Sequence, residues 1–223
     1  MSEARRASKS GSSALSRDRI VDAAIALLDT KGPGGLTFRS LATELQTGHG
    51  AIQWHVQNKD EIVAAASDSI LTRALEPPTS GPTPRASIHG IALGVFTAID
   101  AHPWLGQQLF AVPWQSATVQ LWEKLGRSLE ELGLADSFLF TAVSTLVDYI
   151  VGVGRQNAFN THTLAAGQER EDFLDTVADR WQSLDPVEYP FVNRMADQLR
   201  AHDDRTEFLN GIDIILDGLE AAH

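Results

Sequence analysis

One short stretch, GHGAIQWHVQNKDEI from Gly48 to Ile62, gathers several side chains able to do chemistry. It holds His49, Gln53, Trp54, His55 and Lys59, with Gly48, Gly50 and Ala51 among them. The two histidines raise a metal reading. They lie six residues apart, about 600° round a helix, so they point roughly 120° away from each other. Helical metal pairs need i, i+3 or i+4 spacing, and no metal or cofactor is expected here. A surface that reads nucleic acid fits better. The Gln53 amide can bind a base edge through two hydrogen bonds, His49 can donate or accept, and Ala51 can touch a thymine methyl. Lys59 supplies a point charge for a phosphate. Just upstream, Arg39 can pair with phosphate or a guanine edge, and Thr37 can offer a hydroxyl or a helix-terminal amide to phosphate. Trp54 packs either on a sugar–phosphate edge or in a small core. His55 packs either against a preceding helix or on a phosphate. A small residue at Gly50 lets the backbone approach a duplex, at a helix cost of about 1 kcal/mol. Gly48 replaces a good N-cap, so Thr47 takes over the cap or the helix starts loosely.

A second set of residues lies beyond position 95, where Phe96, Trp104, Phe110, Trp114, Trp122, Tyr149 and Trp181 recur on helical patterns. The ordinary explanation is a helical core. An apolar cavity with a few polar groups is also the usual form of a small-molecule site. On that reading the candidate effector pocket is His102, Trp104, Phe110, Trp114, Tyr149 and Asn157. There is no Ser/His/Asp set, no carboxylate pair in one pattern and no phosphate loop, so an enzyme is not expected.

The elements that must position these residues are helical almost throughout. Ile20, Ala23, Ala24, Leu27 and Leu28 form one buried face. GPGG, Gly32 to Gly35, stops that helix. Thr37 caps a second helix with Leu41, Ala42 and Leu45 on its apolar side. A turn at Gln46–Gly48 leads into Ala51–Val56, and Asn58 caps a longer helix. Two helices and a tight turn before a third describe a helix-turn-helix. EPPTSGPTP, Glu76 to Pro84, cannot continue a helix and marks a boundary. Beyond it helices are predicted at 85–101, 104–111, 114–133, 136–159, 169–184, 188–201 and 205–221. No alternating strand pattern appears. The fold class is all-α, with a disordered basic arm at 1–15, a DNA-binding domain and linker helix at 16–75, and a larger helical domain at 76–223, which the family resemblance given below makes an effector-binding and dimerisation domain.

The net charge of −11 is unevenly spread. Residues 1–75 carry a net +1 and residues 76–223 a net −12. A polyanion is tolerated only by the first part. The chain has no cysteine, which excludes disulfides and thiolate metal sites. The start, MSEARRASKSGSSALSRDR, lacks an apolar core and does not read as a secretory signal. No uncharged apolar run reaches about 18 residues, so no membrane partner is expected.

LTFRSLATELQTGHGAIQWHVQNKDEI resembles the N-terminal module of the TetR family of bacterial repressors. The likeness rests on Leu36, Thr37, Arg39, Leu41, Ala42, Leu45, Gly50, Ala51, Ile52, His55, Val56, Lys59 and Ile62. RIVDAAIALLDTKG is similar to that family's first helix, and the run WHVQNK to its tetracycline-repressor branch. Two positions depart. The family's Gly-Val-Ser is Gln46-Thr47-Gly48 here, and its phosphate-binding tyrosine is Gln53. The resemblance implies that Leu139, Val143, Val147 and Ile150 on one helix and Phe208, Ile212, Ile215 and Leu219 on another form a subunit interface. The alternative is burial within one chain. It further implies a cytoplasmic, ligand-responsive repressor that binds a palindromic operator in double-stranded DNA as a homodimer and is released by a small-molecule effector. The alternatives are a helical ligand-binding protein with weakened DNA recognition and, behind it, an all-helical enzyme.

Overall fold

The computed structural model describes residues 15–76, 81–111, 116–163 and 170–221. Among the described residues there are eleven helices and no strand. The chain divides into two compact units, Met1–Ala66 and Ser67–His223.

The first unit is built on α1 (Arg17–Gly35), α2 (Phe38–Glu44), α3 (His49–Gln53) and the first half of α4 (Lys59–Ala74). Ser16 caps α1, its hydroxyl accepting from Arg19 N–H at 3.3 Å. Ile20, Val21, Ala24, Leu27 and Leu28 form the buried stripe of α1. Gly32, at φ 65°, breaks the helix, and Pro33 opens a short extra turn. Thr37 and Ser40 cap α2 reciprocally: Thr37 Oγ1 accepts from Ser40 N–H at 3.0 Å, and Ser40 Oγ accepts from Thr37 N–H at 2.9 Å.

The end of α2 sets the turn. Thr47 N–H donates to Ala42 C=O at 3.0 Å and Gln46 N–H to Thr43 C=O at 3.3 Å, the paired bonds of a Schellman motif. That motif needs a left-handed residue, and it is Gln46, at φ 51°, that adopts it. A side chain in this region costs about 1–2 kcal/mol. Asn58 caps α4, Oδ1 accepting from Glu61 N–H at 2.8 Å, and Glu61 Oε2 accepts from Gln57 N–H at 2.8 Å. Leu36, Leu41, Ile52, Val56 and Ile62 close the core against α1.

The second unit contains the rest of α4 and α5 (Pro84–Ala101), α6 (Leu105–Ala111), α7 (Ser116–Glu131), α8 (Asp136–Thr163), α9 (Arg170–Gln182), α10 (Pro190–Arg200) and α11 (Asp204–Ala221). α8 is the hub, packing on α5, α6, α7 and α11, while α9 packs on α10. Among the described residues it is the one helix long and apolar enough to cross a membrane. Its apolar stripe of Val143, Leu146, Val147, Ile150 and Val151 is buried inside the unit. Gly154 permits the α5 contact, since a Cβ there would lie 3.2 Å from Ile99 Cδ1. Gly211 permits the α11 contact, since a Cβ there would overlap the Tyr149 hydroxyl. That hydroxyl donates to Phe208 C=O at 3.2 Å, and the rings of Tyr149, Phe208 and Phe96 stack in series across α8, α11 and α5.

Candidate nucleic-acid interface and ligand cavities

α3 is short and almost wholly outward. Ile52 is its one buried residue, fully enclosed in the unit's core. His49, Gly50, Ala51 and Gln53 are exposed, as is the N-cap Gly48. The helix begins at His49 and ends at Gln53, not at Val56 as the pattern predicts, because Trp54 and His55 form a turn into the next helix. Neither Gly48 nor Thr47 supplies a side-chain cap. Trp54 is 88 % exposed, which decides between its two sequence readings in favour of the surface. His55 is half-buried. The His49 ring leans on Phe38 at 5.1 Å. A Cβ at Gly48 or Gly50 would meet nothing within 4 Å, so no intramolecular packing requires either glycine.

The flanking candidates lie on the elements before and after α3. The Thr37 hydroxyl is engaged in the cap of α2, and Arg39 lies exposed on the first turn of that helix. Lys59 is exposed, and its ammonium donates to Pro33 C=O at 2.5 Å. An ammonium has three donors, so this bond leaves capacity for a phosphate. Sequence reasoning missed Ser40, Glu61 and Gln46. Glu61 ties the turn before α4 to Arg17 at 3.3 Å. The Asn58-x-x-Glu61 spacing was a readable capping signal.

The candidate pocket residues are not brought together. His102 lines a cavity of about 600 Å³ between the end of α4 and α5, with Ile70, Arg73, Ala74, Gly90, Gly94 and Thr97. Tyr149 and Asn157 line a different cavity of about 400 Å³ between α8 and α11, with Gln156, His202, Glu207 and Ile214. Burial, and then the nearby Glu207 carboxylate, push the Tyr149 hydroxyl's pKa up. Asn157 Nδ2 donates to Asp100 Oδ1 at 2.8 Å, bridging α8 and α5. Trp104 is buried and lines neither cavity. The Phe110 side chain and Trp114 lie outside the described residues.

The expected interface residues divide by burial. Ile150, Phe208 and Ile212 are fully buried in one chain, and Val143 and Val147 nearly so. Leu139, Ile215 and Leu219 are half-buried. Val143, Val147, Ile150, Phe208 and Ile212 pack within the chain, whereas Leu139, Ile215 and Leu219 keep exposed surface. Exposed on α8 and α11 are Phe140, which leans on Trp122 at 5.5 Å, and Phe159, Ile214, Gly152 and Gly218, beside polar Asp148, Gln156 and Asn210. Neither glycine would bring a Cβ within 4 Å of anything in its own chain.

Residues 20–66 match the model of bacterial regulatory proteins of the tetR family, and residues 77–223 match that of the tetracyclin repressor-like C-terminal domain. The chain belongs to the TetR family. Among TetR-family structures it is similar to the regulator SCO7222 of Streptomyces coelicolor, at 45 % identity and a TM-score of 0.86, covering 94 % of this chain and 99 % of that one. It is also similar to ActR of the same organism in complex with actinorhodin, at 26 % identity and a TM-score of 0.79, covering 94 % and 97 %. The HTH-type transcriptional repressor DrrR1 of Streptomyces coeruleorubidus is 28 % identical over 97 % of this chain and 81 % of its own length. The protein is thus a TetR-family transcriptional regulator with a DNA-binding helix-turn-helix and a helical C-terminal domain.

Proposed function

We propose that the protein is a cytoplasmic homodimeric repressor that binds a palindromic operator and leaves it when a small molecule occupies the C-terminal domain. The carrying observation is the outward face of α3: one buried residue anchors it, and every other side chain is offered to solvent beside Arg39 and Lys59. On this reading Gly48, His49, Gly50, Ala51, Gln53 and Trp54 enter the major groove. Thr37, Arg39, His55 and Lys59 hold the phosphates. Gly50 lets the backbone come close to the duplex, and Gln53 reads adenine through its amide.

A two-fold operator with half-sites roughly 34 Å apart needs two copies. Exposed Gly152 inside α8 and Gly218 in the last turn of α11 support the second copy: Gly152 costs its helix about 1 kcal/mol, and a Cβ at either would meet nothing within 4 Å. Close approach of a neighbouring helix accounts for both. Phe140, Phe159 and Ile214 supply the apolar contact.

The cavity between α4 and α5 is the proposed effector site, with His102 and Arg73 among its polar groups on a largely apolar wall. α4 runs from the first unit into the second, so it carries the change. The effector acts by preferring a state that DNA does not. The test is an anisotropy titration of a palindrome from the protein's own promoter, with and without actinorhodin, the compound bound by the similar ActR. Affinity should fall at least about tenfold as ligand saturates. Saturating ligand that leaves affinity untouched contradicts effector release.

A further inference from the structure

Two placements in the second unit break local electrostatic rules. The latter half of α11 carries Asp213, Asp217 and Glu220, and its last turn has no basic residue. Carboxylates at a helix C-terminus face the negative end of the dipole. Conversely, Arg85 sits in the first turn of α5, where a cation faces the positive end. Neither arrangement helps its own helix. Such a conflict calls for a reason elsewhere in the fold.

The geometry supplies one. Arg85 donates to Asp213 Oδ1 at 3.0 Å, to Asp217 Oδ1 at 2.6 Å and to Glu220 Oε1 at 3.2 Å. A further N–H reaches Asp213 C=O at 3.3 Å. His89, one turn along α5, meets Asp213 Oδ1 at 2.9 Å. One guanidinium therefore spans two turns of α11 and fixes its register on α5. Burial pushes the Asp213 carboxyl up, but the bonds from Arg85 and His89 outweigh it and hold its pKa below the ordinary carboxylate value.

The carboxylates border the outward face of α11. Ile214 and Gly218 follow Asp213 and Asp217 directly, and both are exposed. A second copy that packs closely at Gly218 brings its own acidic stripe near this one. We propose that Arg85 is a positioning residue of the subunit interface, holding and neutralising the Asp213–Asp217–Glu220 stripe so that the face beside it pairs with a second copy. The inference rests on the homodimer reading above.

The experiment is sedimentation of the full chain across salt, with circular dichroism to confirm folding. Arg85→Gln leaves Asp217 and Glu220 without their cation and Asp213 with His89 alone. Its dimer should dissociate about tenfold more readily at low salt, with the gap closing at high salt as charges are screened. Adding Asp213→Asn and Asp217→Asn to that variant should restore the dimer. Arg85→Lys keeps the charge but loses the fork, and should fall between. A wild-type dimer with an unchanged Arg85→Gln variant overturns the inference. So does a loss that persists at high salt and is not rescued, which marks a plain packing strut. A wild-type chain that is monomeric overturns the homodimer reading and the inference with it.

Discussion

Two exposed helix surfaces among the described residues differ in kind. The face of α3 is polar and hydrogen-bonding, carries an exposed tryptophan, and lies beside Arg39 and Lys59. The outer face of α8 and α11 carries Gly152, Phe159, Ile214 and Gly218 among polar residues such as Asp148, Gln156 and Asn210, and is bordered by clamped carboxylates. The first suits a polyanion that offers base edges and phosphates. The second repels a polyanion and suits another helix pair. Exposure alone does not separate a DNA site from a protein site; the charge and size of the exposed residues do.

The largest effect expected is on the anchor of the first surface. Ile52→Ala removes the one buried side chain of α3 and should cost about 2–5 kcal/mol. Thermal melts should show the first unit destabilised, and operator binding should be lost with the fold. If DNA binding persists at full strength, α3 is not the reading element.

The second surface is tested by two glycines on one helix. Gly154→Leu pushes into Ile99 and should destabilise the protomer by about 1–3 kcal/mol. Gly152→Leu faces open space, gains helix propensity of up to about 1 kcal/mol, and should leave the protomer folded. It should instead shift the chain to monomer in sedimentation. A Gly152→Leu dimer as tight as wild type breaks the distinction between the two surfaces.

Within the DNA surface, base and phosphate contacts separate by their response to sequence and salt. Gln53→Ala should relax operator preference by about 1–3 kcal/mol at one position of each half-site. An unchanged preference excludes base reading by Gln53. Lys59→Gln should weaken all sequences alike and reduce the salt slope by about 1.

Gln46→Gly relieves the left-handed residue and should stabilise the first unit by about 1 kcal/mol in a denaturant titration. Smaller still is a pH effect in the second unit. Because the folded Asp213 carboxyl is held below its unfolded value, its stabilisation is complete above the ordinary carboxylate range and is lost as pH falls through the lowered value. The difference between wild type and Asp213→Asn should shrink on acidification.

Much of this was legible in the residues. The predicted C-terminal helices match α5 to α11 closely, since caps such as Thr83, helix starts such as Pro84 and breaks such as Gly133 are local signals. Thr37 and Asn58 cap as their types predict. The turn at Gln46–Gly48 was readable, but not that Gln46 itself takes the left-handed conformation, because glutamine gives no sign of it. The apolar stripes of α8 and α11 left their cover undecided for a general reason. An apolar stripe on α8 or α11 says that something covers it, and not whether the cover is the same chain. Val147 and Ile212 were covered from within, and only the structure showed that Gly152 and Gly218 were not. The pocket residues Tyr149 and Asn157 failed to join His102 for the same reason: sequence spacing does not tell which gap between helices stays open.

The most direct measurement is an anisotropy titration of the full chain on a palindrome from its own promoter and on a scrambled duplex of equal length, at several salt concentrations. Two protomers should bind each palindrome, at least about 10³-fold tighter than the scrambled duplex, with affinity falling as salt rises. Equal affinity for both duplexes at every salt concentration contradicts a reading role for the α3 face.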